Sequence, residues 1–450
     1  MSSLRTADGK PVRIVRVLSL CALLACILAG AGRAAPGLLV GMDDDTLKWA
    51  DKPQANATIA HARDLGMRAV RVTVPWHPGE IRLGVDDRIP VDQMILATWA
   101  AHLRVVLAVY GRAVDAPKTD ADRDGYCAFV GSLLRRYPGV IDVVIWNEPN
   151  AGRFWRPQFD ADGNSVGPRQ YEALLADCYD VLHRVRPAVN VIAASASRGN
   201  DNPAAAMPSH SPVQFYSKLG EAYRSSGRTA PIFDTIGHNP YPSTNSERPW
   251  AKHGGGTIGE GDYDKLIGAL RDGFDDTGQP LPGEGRVSIW YMEQGFQTTV
   301  DPAKASLYRG VETVRDALPP WISRTVAGTS DQGAAPDQAT QLTDALRVAY
   351  CQPGVGAFFN FEIADEPILG GWQSGLLWAD GTPKPSYDAF KAATRGLGAR
   401  QVDCAHYAEL AAGAEIGFSA GPATPEAPAP APAPAPPKPG KKKPPIITVQ

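Results

Sequence analysis

Two short apolar runs each lead into a glutamate: Val143-Val144-Ile145-Trp146-Asn147-Glu148-Pro149 and Ser288-Ile289-Trp290-Tyr291-Met292-Glu293. In barrels built from alternating parallel strands and helices, reactive groups collect just past the C-terminal strand ends, where both carboxylates would stand. Two carboxyl groups facing one cleft can divide the labour of breaking a glycosidic bond. One keeps a proton for the leaving oxygen while the other stays ionised to attack the anomeric carbon. Cleavage with retained configuration asks for a separation of about 5–5.5 Å. Glu148 and Glu293 are distant in sequence, so only a fold that brings two strand ends across one mouth can make them a pair.

Other residue types fit the same cleft. Arg71, in Val70-Arg71-Val72, interrupts an apolar strand, and a guanidinium buried there needs a carboxylate partner. Asp43, Asp44 and Asp45 follow the first strand, where they either hold sugar hydroxyls or form a solvated turn. Sugar rings lay their apolar faces on aromatics, and Trp76, Trp146, Phe154, Trp155 and Trp372 all fall just after strands or in the connecting loops. Trp155 stands out, because the polar loop Gly152-Arg153-Phe154-Trp155-Arg156 has little use for two adjacent core aromatics.

The elements that must position these residues alternate regularly. Strands are expected at Leu38–Gly41, Ala69–Val74, Arg104–Val109 and Asp142–Trp146. Four more are expected at Val191–Ser195, Phe233–Gly237, Val287–Met292 and Gly356–Phe361. Most are continuous in Val, Ile, Leu and aromatics, as strands covered on both faces are. Helical periodicity fills the gaps, over Ala57–Leu65, Tyr126–Arg136, Tyr171–Val185, Val213–Arg224, Tyr263–Phe274, Thr340–Cys351 and Tyr387–Thr394. Eight strand–helix units predict an α/β fold, a (β/α)8 TIM barrel, over an open doubly wound sheet.

Composition bounds the rest. The chain has 450 residues, 44% of them hydrophobic, and a formal net charge of −3, which leaves no basic field for nucleic acid. Residues 1–35 read as a secretory signal: Arg5, Lys10, Arg13 and Arg16, then an apolar stretch from Val17 to Ala31, then small residues. The catalytic barrel is expected over 36–418. Residues 419–450 are Pro/Ala-rich with Lys441-Lys442-Lys443, a composition for an extended disordered tail, which either spaces the barrel through a cell envelope or is a solvated remainder without a role. Without the signal, four cysteines remain, and an exported chain favours disulfides among them. Cys127 and Cys178 fall on helices that are neighbours around the barrel. Cys351 ends the helix before the last strand and Cys404 lies just past the last helix. The expected pairs are therefore Cys127–Cys178 and Cys351–Cys404. No CxxC or HExxH pattern supports a metal, and no cofactor is expected.

With the strands counted, the region from Gly37 to Thr394 resembles the clan of (β/α)8-barrel retaining glycoside hydrolases that contains families 5 and 39. In that clan an Asn-Glu-Pro sequence after strand four carries the acid/base glutamate, and the nucleophile ends strand seven. Asn147-Glu148-Pro149 and Glu293 stand at those places. The resemblance implies a secreted retaining hydrolase of a β-linked oligo- or polysaccharide. It implies further that Asn147 binds the 2-hydroxyl of the cleaved sugar, that Arg71 keeps the nucleophile ionised, and that His238 and Tyr241, in Gly237-His238-Asn239-Pro240-Tyr241, serve the site after strand six. One departure is that the clan commonly ends strand eight with Trp, where this chain has Phe359-Asn360-Phe361-Glu362. Either Trp372 folds back into that place or Phe361 substitutes.

Three rivals are weaker. Gly254-Gly255-Gly256-Thr257-Ile258-Gly259 matches a dinucleotide-binding pattern but sits in a loop, expected to be flexible. Gly163-Asn164-Ser165-Val166-Gly167 matches a serine nucleophile elbow but follows Asp160-Ala161-Asp162, not a strand. A barrel that binds carbohydrate or cell wall without catalysis is the non-enzyme alternative, which would not need Glu148, Glu293, Asn147, Arg71 and Tyr241 together.

Overall fold

A computed structural model describes residues 37–284, 287–314, 316–320, 336–414 and 416–417. The expected signal and Pro/Ala-rich tail lie outside the described residues. Eight parallel strands close into a barrel in chain order: β1 (Leu39–Asp43), β2 (Ala69–Pro75), β3 (Arg104–Tyr110), β4 (Asp142–Ile145), β5 (Asn190–Ala193), β6 (Thr235–His238), β7 (Ser288–Gln294) and β8 (Val355–Phe361). β8 pairs with β1, setting Phe361 opposite Asp43, and β1 sets Asp43 opposite Arg71 of β2. Each strand is followed by a helix: α1 (Lys52–Asp64), α2 (Val85–Ala100), α3 (Asp120–Arg136), α4 (Gly167–Val185), α5 (Pro212–Ser226), α6 (Tyr263–Phe274), α7 (Gln338–Cys351) and α8 (Ser386–Gly398), with α9 (Cys404–Gly413) added last.

Local chemistry starts and stops these helices. Asp51, Ser211 and Asp337 accept hydrogen bonds from backbone amides of the first turns of α1, α5 and α7, and Thr119 with Asp122 forms a reciprocal cap on α3. Gly227, at φ 70°, ends α5 in the left-handed conformation that glycine adopts without strain. The continuous apolar strands then split by parity. Ala69, Val106, Ala108, Val144, Ile192, Trp290, Met292 and Phe359 fill the barrel, while Val70, Val72, Leu107, Val109, Val143, Ile145, Ile289 and Tyr291 pack against the helices. Large and small residues interlock inside: a Cβ on Gly41 would stand 2.6 Å from the ring of Phe359.

All eight expected strands are present, with ends displaced by one or two residues. Two helices escaped the sequence reading. In α2, Pro90 lies inside the helix and Val85, Ile89 and Leu96 are exposed, so the apolar period is broken. α9 is a short helix beyond the last unit. The Gly254–Gly259 loop is not loose: Ile258 is buried and bonded to the Ser197 carbonyl, and a Cβ on Gly256 would strike Ser211 Oγ.

Both disulfides join the expected partners. Cys127 of α3 bonds Cys178 of α4 with 4.9 Å between Cα atoms, and Cys351 at the end of α7 bonds Cys404 at the start of α9 with 5.3 Å. Each closes a loop long enough to contribute about 4 kcal/mol on the chain-entropy account. Such bonds belong to oxidising compartments. Among the described residues no helix is long and apolar enough to cross a membrane.

Two glycines let α5 and α6 cross closely. A Cβ on Gly220 would lie 1.9 Å from the carbonyl oxygen of Gly273, and backbone cannot yield there. Gly220→Ala should therefore cost about 1–3 kcal/mol. Gly268→Ala, in α6 with open space around it, should be neutral or slightly stabilising. Urea denaturation of the oxidised protein compares the two; equal midpoints would contradict the close crossing.

Candidate active site

The carboxyl-terminal strand ends carry Asp43 (β1), Asn147 and Glu148 (after β4), Asn239 and Tyr241 (after β6) and Glu293 (β7), and Arg71, inside β2, stands opposite Asp43. Strict alternation would not deliver two of these. Along β7, Ile289 and Tyr291 face the helices, and Glu293 shares their parity. Between Tyr291, opposite Phe358, and Gln294, opposite Asn360, β7 has one residue more than β8. This bulge turns Glu293 from the helix layer to the barrel mouth. Beyond β4, Trp146 adopts φ 65° and Glu148 φ 39°. Left-handed backbone at such residues costs on the order of 1–3 kcal/mol each and persists only where the surroundings enforce it. Here Trp146 is swung outward onto Trp76, Tyr126 and Trp155, its indole nitrogen donating to the Phe154 carbonyl at 2.6 Å. With Trp146 held outside, Asn147 and Glu148 are left at the mouth.

Arg71 organises the cleft floor. It is 2% exposed, and its Nη1 donates to Glu293 Oε1 at 2.8 Å and to Asp43 Oδ2 as well, while Nη2 donates to Asn147 Oδ1 at 2.8 Å. Burial works against the guanidinium charge, and the Asp43 and Glu293 carboxylates outweigh it, so Arg71 stays protonated. Tyr241 donates its hydroxyl to Glu293 Oε2 at 3.3 Å; burial, and then the negative charge of Glu293 and Glu148, push that phenol well up, so it remains a donor. Asn239 donates to Glu148 Oε1 at 2.7 Å.

The charges do not balance. Two carboxyl groups, Asp43 and Glu293, share the Arg71 guanidinium. Burial pushes Asp43 well above the usual carboxylate range despite Arg71. It also pushes Glu293 up to about 7; Arg71 pulls down, Glu148 adds to the rise, and the Tyr241 hydrogen bond lowers it again. Arg71 and Tyr241 oppose that rise. Both favour the anion, but burial wins below neutrality.

The remaining expected site residues divide. Asp43 joins the site, whereas Asp44 accepts from the amides of Thr46, Ile363 and Ala364 and ties the β1 turn to the segment after β8. Trp372 does fold back: its ring lies 5.5 Å from that of Tyr241 and 5.1 Å from that of Phe361, half-buried at the cleft. Trp155 is not a sugar platform. It is fully buried between Trp146 and Tyr171, with its indole nitrogen on Gln170 Oε1, because the polar loop folds back over the helix layer and needs an anchor. Trp76 and Trp146 are likewise core, and Phe154 is half-buried against Tyr110. His238 cannot reach a ligand either. It is fully buried, bonded to Ser195 Oγ at 2.8 Å and the Ile258 carbonyl at 2.9 Å, and burial pushes it down to about 4, so it is neutral. Two groups went unread. Asn239 lay between residues chosen for other reasons, with no signal of its own. Glu362, just past β8, is buried and raised well above the usual range by burial, with Asp44 and Glu366 adding to it. Among the described residues no group of acids, histidines and cysteines is arranged to hold a metal ion.

No family model and no curated protein matches the chain. Among solved structures it is similar to a glucosidase from Croceicoccus marinus, with TM-score 0.52 and 14% identity over 82% of this chain and 69% of that one. A β-glucosidase from Thermotoga maritima superposes with TM-score 0.49 and 10% identity, over 81% of this chain and 99% of that one. A monomeric β-xylosidase from Caulobacter crescentus gives 0.47 and 16%, over 80% and 69%. At these identities the likeness is one of fold.

The raised Glu293 has a stability consequence with a definite sign. Its native value near 7 exceeds the ordinary 4.5. Between those values the unfolded chain releases a proton that the native state keeps, so native stability falls as pH climbs from about 4.5 to about 7 and stays lower above. Glu293→Gln removes this penalty. The variant should exceed the parent by on the order of 3 kcal/mol at pH 8, with the gain disappearing below about pH 4.5. Thermal melts across this range check it; a gain independent of pH would contradict the assignment.

Proposed function

We propose that the protein is an exported, retaining β-glycosidase that cleaves a β-linked oligo- or polysaccharide through a covalent glycosyl–enzyme. The observation that carries this reading is the shared guanidinium: Arg71 bonds both Glu293 on β7 and Asn147, the neighbour of Glu148 just past β4, so one cation ties the two strand ends into one cleft. A barrel that merely bound sugar would gain nothing from burying the Asp43 and Glu293 carboxyl groups on one arginine, an arrangement in which burial lifts both of them. The fold likeness to a glucosidase supports the same class, and the two disulfides support an oxidising, extracellular setting.

In this reading Glu148 gives its proton to the leaving oxygen as Glu293 attacks the anomeric carbon; Glu148 then takes a proton from water as that water releases the sugar. Asn239 fixes the rotamer of Glu148, and Tyr241 and Arg71 aim the two oxygens of Glu293. Asn147, its side-chain carbonyl already held by Arg71, turns its amide toward the sugar 2-hydroxyl. Trp372 and Phe361 together take the place of the expected strand-eight tryptophan beneath the ring.

Glu293→Ala should abolish turnover on every substrate, and added azide should return an α-glycosyl azide of inverted configuration. Glu148→Ala should spare aryl glycosides with activated leaving groups most and give a β-glycosyl azide. Exchanged configurations would reverse the roles, and full activity in both variants would sink the reading. Because the attacking carboxyl must be ionised, kcat/KM should fall as pH drops below about 7. Arg71→Ala removes the chief influence lowering Glu293 and should move that limb to higher pH; an unmoved limb would assign it to another group.

A further inference from the structure

The loops after β4 and β5 gather a second set of reactive side chains away from Glu148 and Glu293. Phe159 and Ser165 pair antiparallel, so the chain doubles back through residues 160–164 and delivers Ser165 two residues ahead of α4. The Gly163–Gly167 pattern, without a strand before it in sequence, therefore stands on an extended arm that runs into a helix. Ser165 Oγ lies 2.8 Å from His210 Nε2, and His210 Nδ1 lies 2.7 Å from Gln158 Oε1.

The tautomer follows from the outer bonds. Gln158 Nε2 donates to the carbonyls of Pro149 at 2.8 Å and Trp155 at 3.0 Å, which leaves Oε1 as the acceptor facing His210. His210 therefore carries its proton on Nδ1, and its Nε2 lone pair receives the Ser165 hydroxyl proton. The ring is clamped further by Phe159, stacked at 4.3 Å and 22°. His210 and Gln158 are each 2% exposed, while Ser165 is half-buried and opens on a cavity of about 360 Å³ that Phe159, Gly163, Asp201 and Lys218 help to line. A hydroxyl, a base of the right tautomer, a group that orients the base and a cavity at the hydroxyl are the parts of a serine nucleophile site.

We propose that Ser165, His210 and Gln158 form a second, esterolytic site that takes a small O-acyl ester such as an acetylated sugar hydroxyl. Ser165 Oγ bonds the ester carbonyl carbon as His210 Nε2 takes the hydroxyl proton. The carbon–oxygen bond to the alcohol then breaks, and His210 returns the proton to the departing oxygen. Water repeats the exchange, releasing the carboxylic acid and restoring Ser165. Lys218, on the cavity wall and ion-paired with Glu221 in the same helix, is the cation that would turn to the oxyanion. With glutamine in place of a carboxylate, no negative group bonds the ring, and burial pushes His210 down to about 4, with Asp201 opposing the fall and the positive Lys218 adding to it. The base is weak, but it stays unprotonated through the neutral range. The proposal does not depend on the glycosidase reading.

The full exported chain is treated with a fluorophosphonate, its peptides are mapped, and 4-nitrophenyl acetate hydrolysis is followed in the parent, Ser165→Ala, His210→Asn and Glu293→Ala. We expect the adduct on Ser165 in the parent and in Glu293→Ala, and none in Ser165→Ala. Ester turnover should fall about 100-fold in Ser165→Ala and His210→Asn, and the parent rate should be level from about pH 5 to about pH 9. Should His210→Asn fail to fold, Ser165→Ala, which loses only a hydroxyl, decides the matter. No adduct on Ser165 in cooperatively melting protein, or parent-level ester turnover in Ser165→Ala, overturns the proposal and leaves Ser165–His210 as a loop brace.

Discussion

The cleft depends on one buried cation. Arg71 stands at the centre of the barrel mouth with Asp43, Glu293 and Asn147 on its two terminal nitrogens. A guanidinium is suited to this place because its planar fork stays charged when buried and can hold several oxygens in fixed directions. Its partners come from β1, β4 and β7, so the ion cluster also fixes those strand ends relative to one another. Replacing it by an apolar side chain would leave carboxyl groups buried without a counter-ion, a more costly state than the cluster itself.

That arrangement is not the most stable one available to the fold. A bulge in β7, left-handed backbone at Trp146 and Glu148, and a carboxyl group lifted to near neutrality each cost free energy. All three fall on the residues that bear the reactive groups. The interlocked barrel interior and two disulfides provide the rigidity against which such local penalties can be sustained.

The loops after β4 and β5 are locked to each other as well as to the barrel. The fully buried Asn150 accepts from the Ala196 amide at 2.7 Å and donates to the His210 carbonyl at 2.9 Å, while the His210 amide returns to the Asn150 carbonyl. Gln158 bonds the Pro149 carbonyl from the other side. The segment that presents Glu148 and the segment that presents Ser165 thus share one polar framework. Residues of that framework, Gln158 and His210 included, bear on the placement of Glu148 whatever other chemistry they perform.

By itself the sequence determined the strand–helix alternation, hence the barrel, because continuous apolar runs and helical periods are local properties that burial then enforces. It also determined which two glutamates follow strands four and seven, and which cysteines pair, since barrel order makes α3 and α4 neighbours and leaves the segment past α8 at the barrel's seam, near the end of α7. Tertiary structure decided what those patterns could not. Glu293 faces the cleft because of an extra residue in β7, and Trp146 leaves it because of a left-handed turn, neither of which changes residue type or period. Trp155 and His238 looked like site residues because aromatic and imidazole side chains suit either a ligand or a core; only the fold of the polar loop, and the partners on both ring nitrogens, sent them inside. Asn239 reaching Glu148, and His210 reaching Ser165 and Gln158, join segments far apart in the chain whose meeting leaves no local trace. The ionisation of Glu293 likewise belongs to the folded state, since it is set by burial and by charges that only the closed barrel brings within reach.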